Sequence, residues 1–183
     1  MARLPYLEQS DLPPEHQDLL KRNITLYKQL AHSPRMLRAF QGVGYHIRFG
    51  SPMDQRLREL AILQVGWLAR SAYEWSHHVK IAYDFGVTDA DIEGLIADSA
   101  GKPSKLDPLA KSVLKAAREV TLDGKMRADS FAALQAAMTK EQLVDLTVTM
   151  SFYNAVVRIL ASFEIDVEPD YQKYLDKYPL PKD

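Results

Sequence analysis

Residues 59–78 of this chain read ELAILQVGWLARSAYEWSHH, and the rest of the sequence is organised around them. The first ten residues are almost entirely apolar after Glu59, which predicts a helix that is buried on most sides. The next residues, Ser71-Ala-Tyr-Glu74, form the pattern of a capping box, in which two side chains bond each other's free backbone amides. The stretch therefore predicts two helices joined by a short turn at 69–71.

Helical signals recur along the chain, and no segment alternates apolar and polar residues with a period of two. Ser33-Pro34 and Ser51-Pro52 each place a capping residue before a proline at the first helical position. No linker or low-complexity segment divides the sequence. We expect one all-α domain over residues 1–183, a single-domain helical bundle. Helices are expected at about 15–31, 34–50, 54–68, 72–85, 88–98, 108–123, 129–138 and 140–165.

Bulk composition narrows the class of protein. The chain has 183 residues, of which 46% are hydrophobic and 26% charged, as in an ordinary soluble domain. Its net charge of −1 provides no basic field for nucleic acid or an anionic membrane. The most apolar stretch, 143–163, is broken by Asp145, Asn154 and Arg158 and is a poor membrane span, and the first residues have no apolar core of signal-peptide length. We expect a cytoplasmic protein.

Several proton-transferring side chains lie together in the central stretch. Glu74 and His78 are four residues apart and share a helix face, and His77 lies about 100° from His78. A histidine exchanges protons near neutral pH, and a neighbouring carboxylate fixes its tautomer and raises its basicity. Glu59 can supply that carboxylate if the two helices fold back on each other. We therefore predict His78 as proton carrier, Glu59 as its orienting partner, and Glu74 or His77 as a second polar group.

Each of these residues also has a structural explanation. Glu74 is accounted for by capping alone, and Glu59 can simply pair with an arginine. One of the adjacent histidines, His77 or His78, is expected to be solvated and dispensable. The pattern Glu-x-x-His occurs once, whereas a di-iron bundle needs two copies. We therefore expect no metal and no cofactor, with a three-ligand zinc site as the alternative.

Other residues are expected to shape or charge a substrate pocket. A polar stripe on the last long helix contains Arg158, which can bind a substrate carboxylate through two hydrogen bonds or serve as the buried partner of Glu59. The pocket residues expected from the sequence are Tyr73, Trp75, His77, Tyr153 and Arg158.

The segment RLRELAILQVGWLARSAYEWSHHVKIAYDFGVTDADIEGL (56–95) resembles the carboxymuconolactone decarboxylase family, which includes the alkylhydroperoxidase D-like proteins. SFYNAVVRILASFEID echoes it more weakly. The peroxidase branch of the family has a glutamate, then Cys-x-x-Cys, then a histidine four residues after the second cysteine. Matched residue by residue, Glu59 and His78 fall on its glutamate and histidine, and Ser71 and Glu74 fall on its cysteines.

The resemblance implies an all-helical, alkylhydroperoxidase D-like bundle that assembles into homo-oligomers, such as trimers or hexamers based on dimers. It also implies lactone decarboxylation in the degradation of aromatic compounds, or related proton-transfer chemistry. The apolar helix 57–69 favours an oligomer independently, because one small domain cannot easily cover it. Expected partners are a small-molecule substrate and further copies of the chain, with no nucleic acid and no membrane.

Two functions are compatible with these residues. One is a cofactor-free acid–base enzyme, a lyase acting on a small unsaturated or aromatic-derived carboxylic acid or lactone. The alternative is a non-catalytic, oligomeric small-molecule-binding protein on the same fold. An open pocket with Glu59 and His78 in contact favours the enzyme. A pocket filled by side chains, with Glu59 wholly paired to an arginine, favours the binding protein.

The chain should not reduce peroxides, because it contains no cysteine and peroxide reduction in the peroxidase branch passes through a thiolate and a disulfide. Consumption of an organic hydroperoxide should equal the buffer background. Turnover above that background that His78→Ala abolishes would contradict this prediction.

Overall fold

The computed structural model describes residues 2–181, and this part of the chain is helical without any β-strand. The all-α prediction is confirmed. A π-helical turn, His46–Gly50, continues the second helix, and 3₁₀ turns lie at Gln9–Asp11, Pro14–Leu20 and Pro169–Tyr171. The α-helices are α1 (Thr25–Leu30), α2 (Pro34–Tyr45), α3 (Gln55–Leu68), α4 (Ala72–Asp84), α5 (Asp89–Ser99), α6 (Pro108–Leu122), α7 (Ala128–Ala137), α8 (Lys140–Phe163) and α9 (Gln172–Lys177).

Helix α3 lies at the centre of the bundle and packs against α4, α6 and α8. Every residue from Leu57 to Gly66 is buried, as the apolar run predicts. The surfaces that cover α3 all belong to the same chain. The apolar character of this helix therefore gives no reason to invoke a second copy, and that argument for an oligomer is wrong.

Helix α8 is long and apolar enough to cross a membrane by length and composition alone. Half of its apolar stretch is buried inside the protein, where α8 packs against α3, α6 and α7. This burial is typical of a core helix in a helical protein.

The turn between α3 and α4 is tight. The backbone of Arg70 is left-handed, with φ 49°, and the amide of Ser71 returns to the carbonyl of Gly66 at 3.0 Å. A Cβ atom on Gly66 would lie 3.3 Å from the backbone nitrogen of Trp75, so glycine permits the close approach of the two helices.

Only half of the expected capping box forms at the start of α4. The hydroxyl of Ser71 accepts a hydrogen bond from the amide of Glu74 at 3.4 Å. The carboxylate of Glu74 does not return to the Ser71 amide, because that amide is already bonded within the turn. Capping is therefore not the role of the Glu74 side chain.

The N-terminal third departs from the expected helices. The segment expected to be one helix over 15–31 is divided into the 3₁₀ turn Pro14–Leu20 and α1. Helix α3 begins with Asp54 as its capping residue, whose carboxylate accepts from the Leu57 amide at 2.8 Å, and not at Ser51-Pro52.

The C-terminal segment 165–181, for which no helix is expected, contains α9 and lies across α4. The indole nitrogen of Trp75 donates to the carbonyl of Tyr178 at 2.8 Å. The hydroxyl of Thr25 donates to the carbonyl of Asp166 at 3.0 Å, which joins the segment to α1. This segment thus connects the N-terminal region to the central hairpin.

Candidate active site

The imidazole of His78 lies between two buried carboxylates. Its Nδ1 is 2.8 Å from Oε2 of Glu59, and its Nε2 is 3.0 Å from Oε1 of Glu74. The second contact has the distance of an ion pair without the alignment of a hydrogen bond, so Oε1 of Glu74 has no hydrogen-bond partner within residues 2–181. Because an ionised carboxylate only accepts, Glu59 places a proton on Nδ1.

The contact between Glu59 and His78 is direct, although the two residues do not lie opposite each other in an ideal hairpin. An ideal antiparallel pair brings His78 opposite Leu63, four residues or about 6 Å along α3 from Glu59. The glutamate and histidine side chains together span that distance.

The second oxygen of Glu59 is held by its neighbour Arg58. Nε and Nη2 of Arg58 donate to Oε1 of Glu59 at 3.1 and 2.9 Å. Nη1 donates to the carbonyls of Ile47 and Arg48 at 3.4 and 3.0 Å, and the guanidinium lies 4.4 Å from the ring centre of Phe85. Glu59 is therefore divided between an arginine and the histidine, with one oxygen for each.

The surroundings shift the pKa values of this group in opposite directions. Burial lowers the pKa of His78, but the carboxylates of Glu74 and Glu59 outweigh burial and raise it above the ordinary value. Burial raises the pKa of Glu59, but His78 and Arg58 outweigh burial and lower it. With His78 protonated and both carboxylates ionised, the four side chains carry two positive and two negative charges. The protonated form of His78 is thus electrically balanced.

We call Arg58, Glu59, His78 and Glu74 the acid–base cluster. It lies at the wall of a cleft of about 450 Å³, which Glu74 and His78 reach directly. The ring edge of Tyr153 meets the imidazole of His78, with ring centres 4.9 Å apart, and its hydroxyl forms no hydrogen bond with the described residues. Burial, together with the nearby carboxylates, raises the pKa of Tyr153, so its hydroxyl stays protonated.

The other aromatic walls of the cleft come from distant parts of the chain. Phe40 of α2 and Phe152 of α8 lie side by side, with ring centres 4.8 Å apart. The cleft thus presents an apolar body and a few converging polar groups, which is typical of a small-molecule site.

His77 is committed to a structural contact. Its ring is stacked between Tyr73 and Tyr171, with ring centres 4.0 and 3.6 Å away. Its Nε2 is 2.7 Å from the carboxylate of Glu168, which also accepts from the backbone and hydroxyl of Thr25. Both adjacent histidines are buried, so the expectation that one of them is solvated is wrong.

The contact with Glu168 affects both groups. Burial lowers the pKa of His77 despite the carboxylate beside it. Burial raises the pKa of Glu168, but hydrogen bonds from His77 and Thr25 outweigh burial and lower it to about 2. Glu168 is therefore ionised and His77 neutral near pH 7.

Two of the expected pocket residues lie outside the cleft. Trp75 is fully buried in the main core beneath α4, against Trp67. Arg158 is exposed and donates to its own helix, to the carbonyl and side chain of Asn154 at 2.6 and 2.9 Å. The arginine beside Glu59 is Arg58, and the expected pairing of Arg158 with Glu59 is wrong.

Two cleft residues were missed at the level of sequence. Arg22, which precedes α1, and Arg48, in the π-helical turn, both line the cleft. No spacing pattern relates them, since they are far apart in sequence and line the same cleft only once the chain is folded. Among residues 2–181, no group of three or more histidine and carboxylate side chains is arranged to hold a metal ion.

Comparison with known proteins gives a family and a fold. Residues 34–119 match the family described as the Carboxymuconolactone decarboxylase family, and this range includes the whole acid–base cluster. No curated protein matches the chain in sequence.

Several solved structures share the fold. An uncharacterized peroxidase-related protein from Ralstonia eutropha JMP134, described as an alkylhydroperoxidase AhpD core, is 16% identical, with a TM-score of 0.79 over 95% of each chain. A complex of a cysteine-to-alanine variant of the debrominase Bmp8 with 2,3,4-tribromopyrrole is 16% identical, with a TM-score of 0.78 over 97% of this chain and 99% of that one. A putative antioxidant defence protein AhpD from Agrobacterium tumefaciens is 20% identical, with a TM-score of 0.66 over 76% and 95%. At these identities the likeness concerns the fold alone.

The two adjacent histidines should titrate on opposite sides of the ordinary histidine value of about 6.5. His78 should titrate above it and His77 below it, because carboxylates outweigh burial only at His78. Imidazole NMR signals followed against pH measure both values. Because folding raises the pKa of His78, its contribution to stability is full below pH 6.5 and is lost as pH rises through the folded value.

Glu74→Gln should lower the pKa of His78 more than that of His77, because Glu74 is the main carboxylate acting on His78, whereas Glu168→Gln should lower the pKa of His77 and not that of His78. Titration of both rings together near 6.5 would contradict the assignment.

Proposed function

This chain belongs to the carboxymuconolactone decarboxylase family, with an alkylhydroperoxidase D-like fold but without redox cysteines, and from that premise we propose a cofactor-free acid–base enzyme. Its substrate is a small unsaturated or aromatic-derived carboxylic acid or lactone, and its reaction is of the lyase or isomerising type. The observation that carries the proposal is His78, held between two buried carboxylates at the wall of an open cleft.

The cluster holds one proton on His78 that it can deliver, and its net charge changes from zero to −1 until His78 recovers a proton. In a decarboxylation, the bond between the carboxyl and ring carbons breaks, CO₂ leaves, and the electron pair delocalises into the unsaturated lactone. His78 then donates its Nε2 proton to carbon, directly or through Glu74, and recovers a proton from solvent. Glu59 holds the Nδ1 proton and stabilises the imidazolium before the transfer.

The walls of the cleft fit this chemistry. Loss of CO₂ disperses a localised negative charge, and apolar walls such as Phe40 and Phe152 favour the dispersed state over the carboxylate. The protonated hydroxyl of Tyr153, beside His78, can donate to the oxygen on which the charge accumulates. The bound tribromopyrrole of the Bmp8 variant supports the idea that this fold can hold a small unsaturated ring.

The non-catalytic alternative fits the geometry less well. A cleft of about 450 Å³ is not filled by side chains, and Glu59 gives only one of its oxygens to Arg58. A protein that only binds a ligand gains nothing from burying a second carboxylate beside the histidine, because burial of charge costs stability.

Glu59→Gln, Glu74→Gln and His78→Ala should each lower turnover by about 10² or more, the usual scale for acid–base groups. The double variant of Glu59 and His78 should be little worse than either single one, because the two residues act as a unit. Unsaturated lactones and conjugated acids incubated in D₂O would reveal turnover as CO₂ release and as deuterium incorporation in NMR spectra.

The matched control is Glu119→Gln. Glu119 is also buried, on α6, where it accepts from Ser130 at 2.8 Å and lies outside the cleft. This variant should lose stability but keep its turnover per folded molecule. Ligand binding without any turnover, or single variants with unchanged turnover, would favour the binding protein.

We also propose that the chain forms homo-oligomers, through apolar side chains other than those of α3. Large exposed ones occur on α2 and the π-helical turn and on the outer face of α8: Met36, Val43, Tyr45, Phe49, Val144 and Val148. Large exposed apolar side chains that cluster on a surface are typical of interaction sites.

Light scattering should give a mass of at least twice the 20.8 kDa of one chain. Val144→Lys combined with Val148→Lys should shift the mass towards one chain, while the polar control Lys140→Glu on the same helix should not. A monodisperse monomer of the unaltered chain would contradict the proposal.

A further inference from the structure

Two cationic side chains at the cleft lack a carboxylate partner within residues 2–181. Arg22 and Arg48 are both half-buried and line the cleft. Each guanidinium lies over an aromatic ring, with the central carbon of Arg22 5.9 Å from the ring centre of Tyr27 and that of Arg48 5.9 Å from the ring centre of Phe49. Contacts of this length are weak and leave the guanidinium donors free.

A third arginine at the cleft, Arg38, does have a carboxylate partner. Arg38 donates two parallel hydrogen bonds to the carboxylate of Asp18, at 2.9 and 2.8 Å. Its charge is neutralised within the chain, and it is therefore not available to an anionic ligand.

The charge around the two free arginines is unbalanced. A second cleft of about 440 Å³ shares Arg22 and Arg48 with the first and adds Lys80, against the single carboxylate of Asp84. The net charge of the chain is −1, so this positive region is local. Such a region attracts anions into the cleft.

The acid–base cluster does not cancel this attraction, because its own charges sum to zero when His78 is protonated. Arg48 is also held in place by the residue that holds Glu59, since Nη1 of Arg58 donates to the Arg48 carbonyl. Arg58 thereby fixes the backbone of Arg48 relative to Glu59 and His78.

We propose that Arg22 and Arg48 bind a carboxylate of the substrate, and so select small unsaturated or aromatic acids over neutral lactones and amides. The planar guanidinium matches the geometry of a carboxylate, and the aromatic walls receive the apolar remainder. This carboxylate is a binding group and does not react, because an ion pair stabilises it against loss as CO₂. The inference rests on the proposed function and narrows its substrate class.

Calorimetric titration with trans-cinnamate and with its neutral amide, cinnamamide, tests this without any need for turnover. The unaltered protein should bind cinnamate more tightly by about tenfold or more. Arg22→Gln and Arg48→Gln should each weaken cinnamate binding by about tenfold and leave cinnamamide binding unchanged. Arg38→Gln, the matched control, should bind cinnamate as the unaltered protein does.

Equal affinity for acid and amide, no binding of millimolar cinnamate, or equal loss in Arg38→Gln would overturn the inference. Tighter binding of inorganic phosphate than of cinnamate would overturn the assignment to a carboxylate. His78→Ala should still select cinnamate over cinnamamide. Selective binding in a protein whose acid–base variants change no reaction would remove the proposed enzyme and keep the anion site.

Discussion

The buried ion pair between Arg58 and Glu59 is the interaction on which the site depends. Removing one partner of such a pair costs about 3–5 kcal/mol, because the other charge is then buried without compensation. The burial of Arg58 is compensated by its contacts. Its guanidinium donates to the Glu59 carboxylate and to two backbone carbonyls, and it lies over the face of Phe85. Helix α3, the π-helical turn and, through Glu59, the imidazole of His78 on α4 are therefore positioned by one side chain.

The parts of the fold and of the site that the sequence predicts are those with a local sequence pattern. The helices α3 and α4 follow from periodicity and caps, and a tight turn between them makes the contact of Glu59 with His78 geometrically possible. The arginine partner could not be read from the sequence. Adjacent helical residues do not normally face each other, so Arg58 was an unfavourable candidate beside the more distant Arg158. The long arginine side chain overcomes this by folding back onto its neighbour.

The functions of Trp75 and His77 depended on a segment with weak sequence signals. Residues 165–181 contain only a six-residue α-helix and a single 3₁₀ turn, which tertiary contacts stabilise. In this segment the carbonyl of Tyr178 accepts a hydrogen bond from the Trp75 indole. Glu168 contacts the imidazole of His77, and Tyr171 stacks on it. An aromatic residue or histidine near a catalytic motif therefore cannot be assigned to a pocket until the rest of the chain is placed. Glu74 is the opposite case. The local sequence pattern predicts a capping role for its side chain, whereas in the structure this side chain faces the cleft.

The residues that line the cleft come from inside and outside the range that matches the family. The family match covers 34–119 and includes the acid–base cluster, whereas Arg22, Phe152 and Tyr153 belong to flanking segments. The flanks are joined to each other through Glu168 and Thr25, and they contact the hairpin of α3 and α4 through His77 and through the packing of α8 on α3. The proposed proton chemistry thus lies mainly within the matched range, whereas the lining of the cleft is shared between that range, with Arg48, and the flanks, with Arg22. Substitution of Arg22 would change the lining of the cleft while the hairpin that carries Glu59 and His78 stays as it is.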